Sequence, residues 1–192
     1  RYTLRTDRKK LAERFGLGYA PADRRWLRSF LRSKAYSDEI LARSGLFGKE
    51  RRESALFADR LIFPIRDANK RVVAFGGRLL EGEGPKYLNS PETAIFRKHE
   101  SLFAIAEARQ AIREAKTAIV VEGYMDAIAF HAAGVANAVA PLGTAFTEGQ
   151  ARLLRRWAER VDLCFDADEA GQKAAGKALV EAARGGLRAG VI

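Results

Sequence analysis

The sequence predicts an α/β protein in two parts: a mixed α+β basic subdomain over residues 1–103, then a Rossmann-like parallel-sheet subdomain over residues 104–192. Two observations predict this division. After residue 104, strand and helix patterns alternate three times with short connections, as in a parallel sheet wrapped by helices. The charge is also divided, because residues 1–103 carry 23 Lys and Arg against 13 Asp and Glu, whereas residues 104–192 carry 11 of each.

Helical periodicity dominates roughly the first 55 residues, followed by a change to strand periodicity. The runs RRWLRSFLRS and SDEILARSGL predict two short helices, with Ser37 as an N-cap and Gly45 as a stop, and LAERFGLGYAP predicts a helix end and a turn. RLIFPIRD and RVVAFGGRLL then predict two strands joined by a turn at Asn69. The polar segment EGEGPKYLNSPET predicts a long loop, and such loops in compact domains are often functional.

The second half supplies the strands of the parallel sheet and the helices that cover it. The predicted strands are TAIVV, ANAVAPLG and VDLCF. The predicted helices are EARQAIREAK, YMDAIAFHAAG with Gly134 at its end, TEGQARLLRRWAER, and EAGQKAAGKALVEAAR. Thr147 and Gln150 have the spacing of a capping box before the third of these helices.

Composition indicates the cellular compartment and argues against a membrane span and a structural zinc site. The one cysteine, Cys164, excludes an internal disulfide and indicates a reducing compartment, so we expect a cytoplasmic location. No apolar run approaches the ~20 residues of a membrane span, and the absence of CxxC pairs argues against a structural zinc site. The chain lacks an initiator Met, and we expect it to be a piece of a longer protein.

The net charge of +10 falls entirely within residues 1–103. Clustered Lys and Arg side chains gain affinity for phosphates by releasing counterions, so this part predicts a polyanionic partner. A solvated basic surface without a partner is the alternative interpretation.

Three carboxylates follow strands of the predicted parallel sheet. Glu122 ends the first strand, and Asp166 and Asp168 follow the third. Because ligands bind at the carboxyl ends of parallel strands, we expect the three to meet there, and their mutual repulsion favours a bound cation such as Mg²⁺ or Mn²⁺. Gly123 is expected to allow a sharp turn, and Gly171 to begin the following helix. For either aspartate alone, capping of that helix is the competing interpretation.

These motifs resemble a known family. EGYMD followed by DADEAG is similar to the Toprim domain, and LIFPIRDANKRVVAFGGRLL with PKYLNSPETAIFRK resembles the RNA-polymerase core of bacterial DnaG-type primases. The resemblance implies a DNA-directed RNA polymerase that makes short RNA primers on a single-stranded DNA template from ribonucleoside triphosphates. It implies Mg²⁺ or Mn²⁺ as the cofactor.

The resemblance also implies residue roles. Glu122 matches the Toprim general base or metal ligand, and Asp166 and Asp168 match the metal-binding DxD pair. The family's basic groove for template and nucleotide corresponds to Arg66, Arg78, Lys86, Tyr87, Asn89 and Lys98, with Asp67 near it. Arg5 and Asp126 are further candidates. Tyr87 is expected either to stack on a base or to pack its loop onto the core.

In the family, a further acidic cluster follows on the next strand, beyond the final GGLRAGVI. The resemblance therefore implies a Toprim subdomain truncated at its C-terminal end and a fragment that is inactive alone. It also implies that zinc and the replicative helicase bind to domains outside this sequence. A Toprim nuclease or topoisomerase, and a non-catalytic nucleic-acid-binding module, are the alternatives.

Overall fold

The computed structural model describes residues 7–48 and 53–192. Within these ranges the helices are α1 (Arg8–Phe15), α2 (Trp26–Ser33), α3 (Asp38–Arg43), α4 (Ile105–Ala115), α5 (Tyr124–Ala132), α6 (Glu148–Arg155) and α7 (Glu169–Arg184), with a 3-10 turn at Lys98–Glu100. The strands are β1 (Gly18–Ala20), β2 (Arg60–Arg66), β3 (Val72–Leu79), β4 (Tyr87–Asn89), β5 (Thr117–Val121), β6 (Ala138–Val139), β7 (Arg160–Cys164) and β8 (Arg188–Val191). None of these helices has the length and apolar content to cross a bilayer.

The first sheet is antiparallel, in the order β1-β2-β3-β4. Its central hairpin, β2 and β3, confirms the two predicted strands and the turn at Asn69, whose N–H donates to Asp67 Oδ1 at 2.8 Å. The two outer strands correct the prediction, because Gly18–Ala20 pairs with β2 and Tyr87–Asn89 pairs with β3 where a turn and a loop were expected. Three residues are too few to show a period of two, so only the neighbouring strand reveals them.

The second sheet is parallel, in the order β6-β5-β7-β8, and confirms the predicted Rossmann-like topology. The predicted capping box is present, since Thr147 Oγ1 accepts from the Gln150 N–H and Gln150 Oε1 accepts from the Thr147 N–H, each at 3.2 Å. Ser37 caps α3 as predicted, and Gly45 follows that helix with a φ of 71°. The strand predicted over ANAVAPLG shortens to Ala138–Val139.

A shared core joins the two sheets. Phe63 from β2 contacts Phe103 edge to face and stacks on Tyr124, with ring centroids 6.1 Å and 5.3 Å apart. Phe103 in turn pairs its backbone with Ala140 beside the parallel sheet. The aromatic cluster therefore fixes one sheet against the other, and the division at residues 103 and 104 stays a prediction.

Candidate nucleic-acid cleft

A cleft of about 450 Å³ lies where the antiparallel sheet meets the carboxyl edge of the parallel sheet. One wall comes from β3, β4 and the residue before β4, and the other comes from the segment after β5 and the loop after β6. Its lining residues are Arg78, Lys86, Tyr87, Asn89, Glu122, Gly123, Tyr124, Met125, Asp126, Pro141 and Gly143. Four of the six residues predicted for the basic groove are therefore together, and they face Glu122.

The basic wall is built by cross-strand pairing. Arg78 lies opposite Tyr87 and Gly76 lies opposite Asn89, so the side chains of Arg78, Tyr87 and Asn89 project from the same face of the sheet. The Arg78 guanidinium lies 5.9 Å from the centroid of the Tyr87 ring, within the range of a cation–π contact. Lys86 is exposed beside this pair. The sheet thus presents two cations and an aromatic ring to the cleft.

The acidic edge forms because β5 and β7 are adjacent parallel strands that end together, with Val121 opposite Cys164. Glu122 leaves β5 and its Oε1 accepts a hydrogen bond from the Asp166 N–H at 2.8 Å. Asp168 is the N-cap of α7, and its Oδ1 accepts from the Gly171 N–H, also at 2.8 Å. Each of these two carboxylates therefore holds a backbone amide of the segment that follows β7.

The expected convergence of three carboxylates is not present. Among the described residues, no group of three or more Asp, Glu, His or Cys side chains is placed to hold a metal ion. The physical reason is local, because Asp168 turns back to cap α7 while Glu122 reaches across to the amide of Asp166. The oxygen donors themselves are of the type that Mg²⁺ and Mn²⁺ accept, so their ligand roles stay a prediction.

The structure requires glycine at only one of the two positions predicted at these strand ends. Gly123 has φ −148° and ψ 177°, an extended conformation that any residue adopts, so the turn after Glu122 does not require glycine. Gly171 is buried, and a Cβ there would lie 2.8 Å from the carbonyl carbon of Asp166 and closer still to its oxygen. Close approach of the first turn of α7 to Asp166 therefore requires a glycine at residue 171.

Tyr124 is the cleft residue that sequence reasoning missed. Its ring is buried, its hydroxyl donates a hydrogen bond to Asn89 Oδ1, and burial raises its pKa above the ordinary tyrosine value, so it stays a proton donor. A Cβ on Gly76 would lie 2.6 Å from the Tyr124 ring, so the first glycine of FGGR makes room for the tyrosine of EGYMD. Only the fold brings Gly76 and Tyr124 together, so no pattern within one window of the sequence marks this contact.

The other predicted residues lie elsewhere. Arg66 does not line the cleft, because its Nη1 pairs with Glu107 Oε1 at 2.9 Å and donates to the Phe15 carbonyl at 3.0 Å. Lys98 lies in the 3-10 turn, also outside the cleft lining. Asp126 lies in the cleft, and Arg5 falls outside the described residues.

Comparisons with known proteins agree with this architecture. A family model described as "DNA primase catalytic core, N-terminal domain" matches residues 3–109, and a Toprim domain model matches residues 116–192. A DNA primase of Treponema pallidum (strain Nichols) is 50% identical over 166 residues, which cover 86% of this chain and 27% of that relative. The chain thus spans about a quarter of that relative's length.

Two solved structures are similar along nearly the whole chain. The Aquifex aeolicus primase, solved with its zinc-binding and RNA polymerase domains, superposes with a TM-score of 0.88 at 38% identity, covering 95% of this chain and 46% of that one. A DnaG primase catalytic domain bound to single-stranded DNA has a TM-score of 0.79 at 39% identity, covering 91% of this chain and 55% of that one. At 38% and 39% identity, these two structures are similar to this chain in sequence as well as in fold.

Proposed function

The chain belongs to the DNA primase catalytic-core family, and on that premise we propose that it joins ribonucleotides into short RNA primers on single-stranded DNA. One observation carries the proposal. Arg78 and Lys86 on one wall of the cleft face Glu122 and Asp126 on the other. Within the described residues none of these four side chains forms an ion pair. A ligand that brings phosphates to the cations and a metal ion to the carboxylates relieves both uncompensated charges at once.

The basic wall suits a triphosphate and a base. Arg78 offers a planar guanidinium that binds phosphate oxygens in a bidentate manner, and Lys86 adds a compact charge. Tyr87 is 37% exposed, which leaves ring surface for stacking on a base, a contact of about 1–3 kcal/mol. These three side chains would hold and orient the incoming nucleotide against the template.

We infer that Glu122, Asp166 and Asp168 hold Mg²⁺ or Mn²⁺. Each carboxylate keeps an oxygen outside every hydrogen bond formed within the described ranges, and these hard oxygens fit such ions. A divalent ion bound there would polarise the α-phosphate and lower the pKa of the attacking 3′-hydroxyl. The in-line attack itself needs the nucleotide to be fixed by the basic wall.

The proposed binding partners are inferred from the charge of the chain and from its relatives. The excess of ten positive charges in residues 1–103 favours a nucleic-acid backbone, and one structural relative is described as bound to single-stranded DNA. Binding of zinc and of the replicative helicase through other domains remains part of this proposal. The cytoplasmic location rests on the single cysteine and stays a prediction.

The test compares the parent with Glu122→Gln in the protein that carries this sequence. Each is given single-stranded DNA, Mg²⁺ and labelled ribonucleotides, and the products are tested for lability to alkali. We expect Glu122→Gln to reduce RNA synthesis by about a hundredfold or more while DNA affinity persists. Glu114→Gln, an exposed glutamate of α4 outside the cleft lining, is the matched control.

Full synthesis by Glu122→Gln would contradict the assignment of Glu122. A shortened template without RNA would favour cleavage chemistry of the nuclease or topoisomerase type. DNA binding with neither product, unchanged by the carboxylate substitution, would favour a non-catalytic binding module. The two halves should not be tested apart, because Phe63 and Tyr124 pack in one shared core.

A further inference from the structure

The basic wall of the cleft ends in a short edge strand, and the loop before it is held where Arg60 Nη1 donates to the Pro85 carbonyl at 3.0 Å. β4 is three residues long and lies at the edge of the antiparallel sheet, and within the described part of the chain it pairs with β3 alone. The residues before it, 81–86, are exposed, and Gly82 and Gly84 in that stretch have φ values of 96° and 133°. A short edge strand after such a loop is expected to open easily unless side chains hold it.

Asn89 joins this edge strand to the opposite wall of the cleft. Its Oδ1 accepts a hydrogen bond from the Tyr124 hydroxyl, and its Nδ2 donates to the Leu142 carbonyl at 2.8 Å. The amide orientation is fixed by these partners, since the reverse orientation would bring Oδ1 against the carbonyl oxygen of Leu142. Both ends of this side chain are therefore used to join β4 to α5 and to the loop after β6.

Two glycines create the space for these contacts. Gly76 lies opposite Asn89 on β3, and a Cβ there would lie 2.6 Å from Tyr124 Cε2. Gly143 has a φ of 71°, and a Cβ there would lie 3.1 Å from Asn89 Nδ2. A strand of one sheet and a loop beside the other thus each have a glycine next to the hydrogen-bonded pair Tyr124 and Asn89.

We propose that Tyr124 and Asn89 form a latch, a pair of positioning residues that fixes β4, and with it Lys86 and Tyr87, against the carboxylate edge. The proposal rests on the proposed function and deepens it. It changes the role expected for Asn89, whose amide is committed to protein contacts rather than directed at template or nucleotide. The latch sets the distance between Lys86, one of the cations proposed to hold a triphosphate, and Glu122 on the opposite wall.

The variant Tyr124→Phe removes the hydroxyl and keeps the ring that fills the core. We expect the backbone amides of residues 86–90 to exchange with deuterium about three- to tenfold faster, the range for the loss of one buried hydrogen bond. Tyr36→Phe, at a tyrosine that is 50% exposed, is the matched control and should leave this exchange unchanged. Ile112→Val, in the core of the parallel sheet, controls for a general loss of stability.

The functional consequence is measured with the same variants in the full protein. Tyr124→Phe should raise KM for ribonucleotides about three- to tenfold and change kcat less, because the nucleotide contacts are misplaced. Lys86→Ala should weaken nucleotide binding in the parent and weaken it less in the Tyr124→Phe background, since Lys86 is then no longer held in place. Ile112→Val should lower stability and leave KM unchanged.

Unchanged exchange at residues 86–90 in Tyr124→Phe would overturn the latch, whatever the protein catalyses. Equal losses from Lys86→Ala in both backgrounds would overturn the claim that the latch positions Lys86. Faster exchange in a protein whose parent makes no RNA would leave the latch standing and refute the proposed function instead. The two proposals therefore fail in different measurements.

Discussion

Gly171 offers a direct test of how the acidic edge is built, through the substitution Gly171→Ala. The added Cβ would lie 2.8 Å from the carbonyl carbon of Asp166 and 3.1 Å from its nitrogen, and both are backbone atoms that cannot rotate away. Relief requires moving either the start of α7 or Asp166. The first movement breaks the bond from the Gly171 N–H to Asp168, and the second breaks the bond from the Asp166 N–H to Glu122.

The magnitude follows from three terms. Overpacking by one methyl group costs about 1–3 kcal/mol, and loss of an N-cap costs about 1 kcal/mol more. Alanine recovers about 1 kcal/mol through its better helix propensity. We therefore expect Gly171→Ala to lower the free energy of unfolding by about 1–3 kcal/mol, from the sum of these terms.

Gly176 in the same helix is the matched control. It is exposed, and no atom of residues 7–48 or 53–192 lies within 4 Å of where its Cβ would be, so Gly176→Ala should stabilise the protein by about 0.5–1 kcal/mol. Urea denaturation of both variants gives the comparison, provided that the m-values match. Equal stability of the two variants would refute the close approach of α7 to Asp166.

Two further predictions concern a buried histidine and a partly buried ion pair. Burial lowers the pKa of His131, so the unfolded chain binds a proton first and stability is lost as the pH falls below about 6.5. Urea denaturation at a series of pH values should show that the free energy of unfolding falls more steeply with falling pH in the parent than in His131→Gln. Equal pH dependence of the two proteins would contradict this prediction. Glu107→Gln removes the partner of Arg66 and should cost about 1–3 kcal/mol in the free energy of unfolding, with unchanged affinity for single-stranded DNA. A gain in affinity would instead show that the released Arg66 reaches nucleic acid.

The repeating elements were predictable because their signals are local. The strand at Thr117–Val121 and the capping box at Thr147 and Gln150 each depend on residues within one short window. The parallel direction of the strands followed from their alternation with helices, since a helical crossover returns the chain to the same end of the sheet. The resemblance to DnaG-type primases then assigned Arg78, Lys86, Tyr87 and Asn89 to one basic groove, and these four residues line the cleft.

The errors occurred where a distant partner decides the outcome. Tyr87–Asn89 becomes a strand only because β3 is available to pair with it. Arg66 contacts Glu107 and the Phe15 carbonyl outside the cleft lining, and its nucleic-acid role stays a prediction. Tyr124 was missed for the same reason, since its hydroxyl partner lies 35 residues away. Periodicity and spacing within a window contain no information about such contacts.

The acidic edge raises the question of what Asp168 contributes, because its carboxylate both caps α7 and is a proposed metal ligand. Asparagine caps helices about as well as aspartate, so Asp168→Asn keeps the bond to the Gly171 N–H while removing the charge. Asp168→Ala removes both the bond and the charge.

If the charge binds the metal ion, the free energy of unfolding of Asp168→Asn should lie within about 1 kcal/mol of that of the parent, and yet Asp168→Asn should lose RNA synthesis. If capping is the whole contribution, Asp168→Asn should retain synthesis, and only Asp168→Ala should lose about 1 kcal/mol of stability. Because Asp168→Asn separates the two roles in one protein, retained synthesis at full metal concentration would remove Asp168 from the proposed metal site.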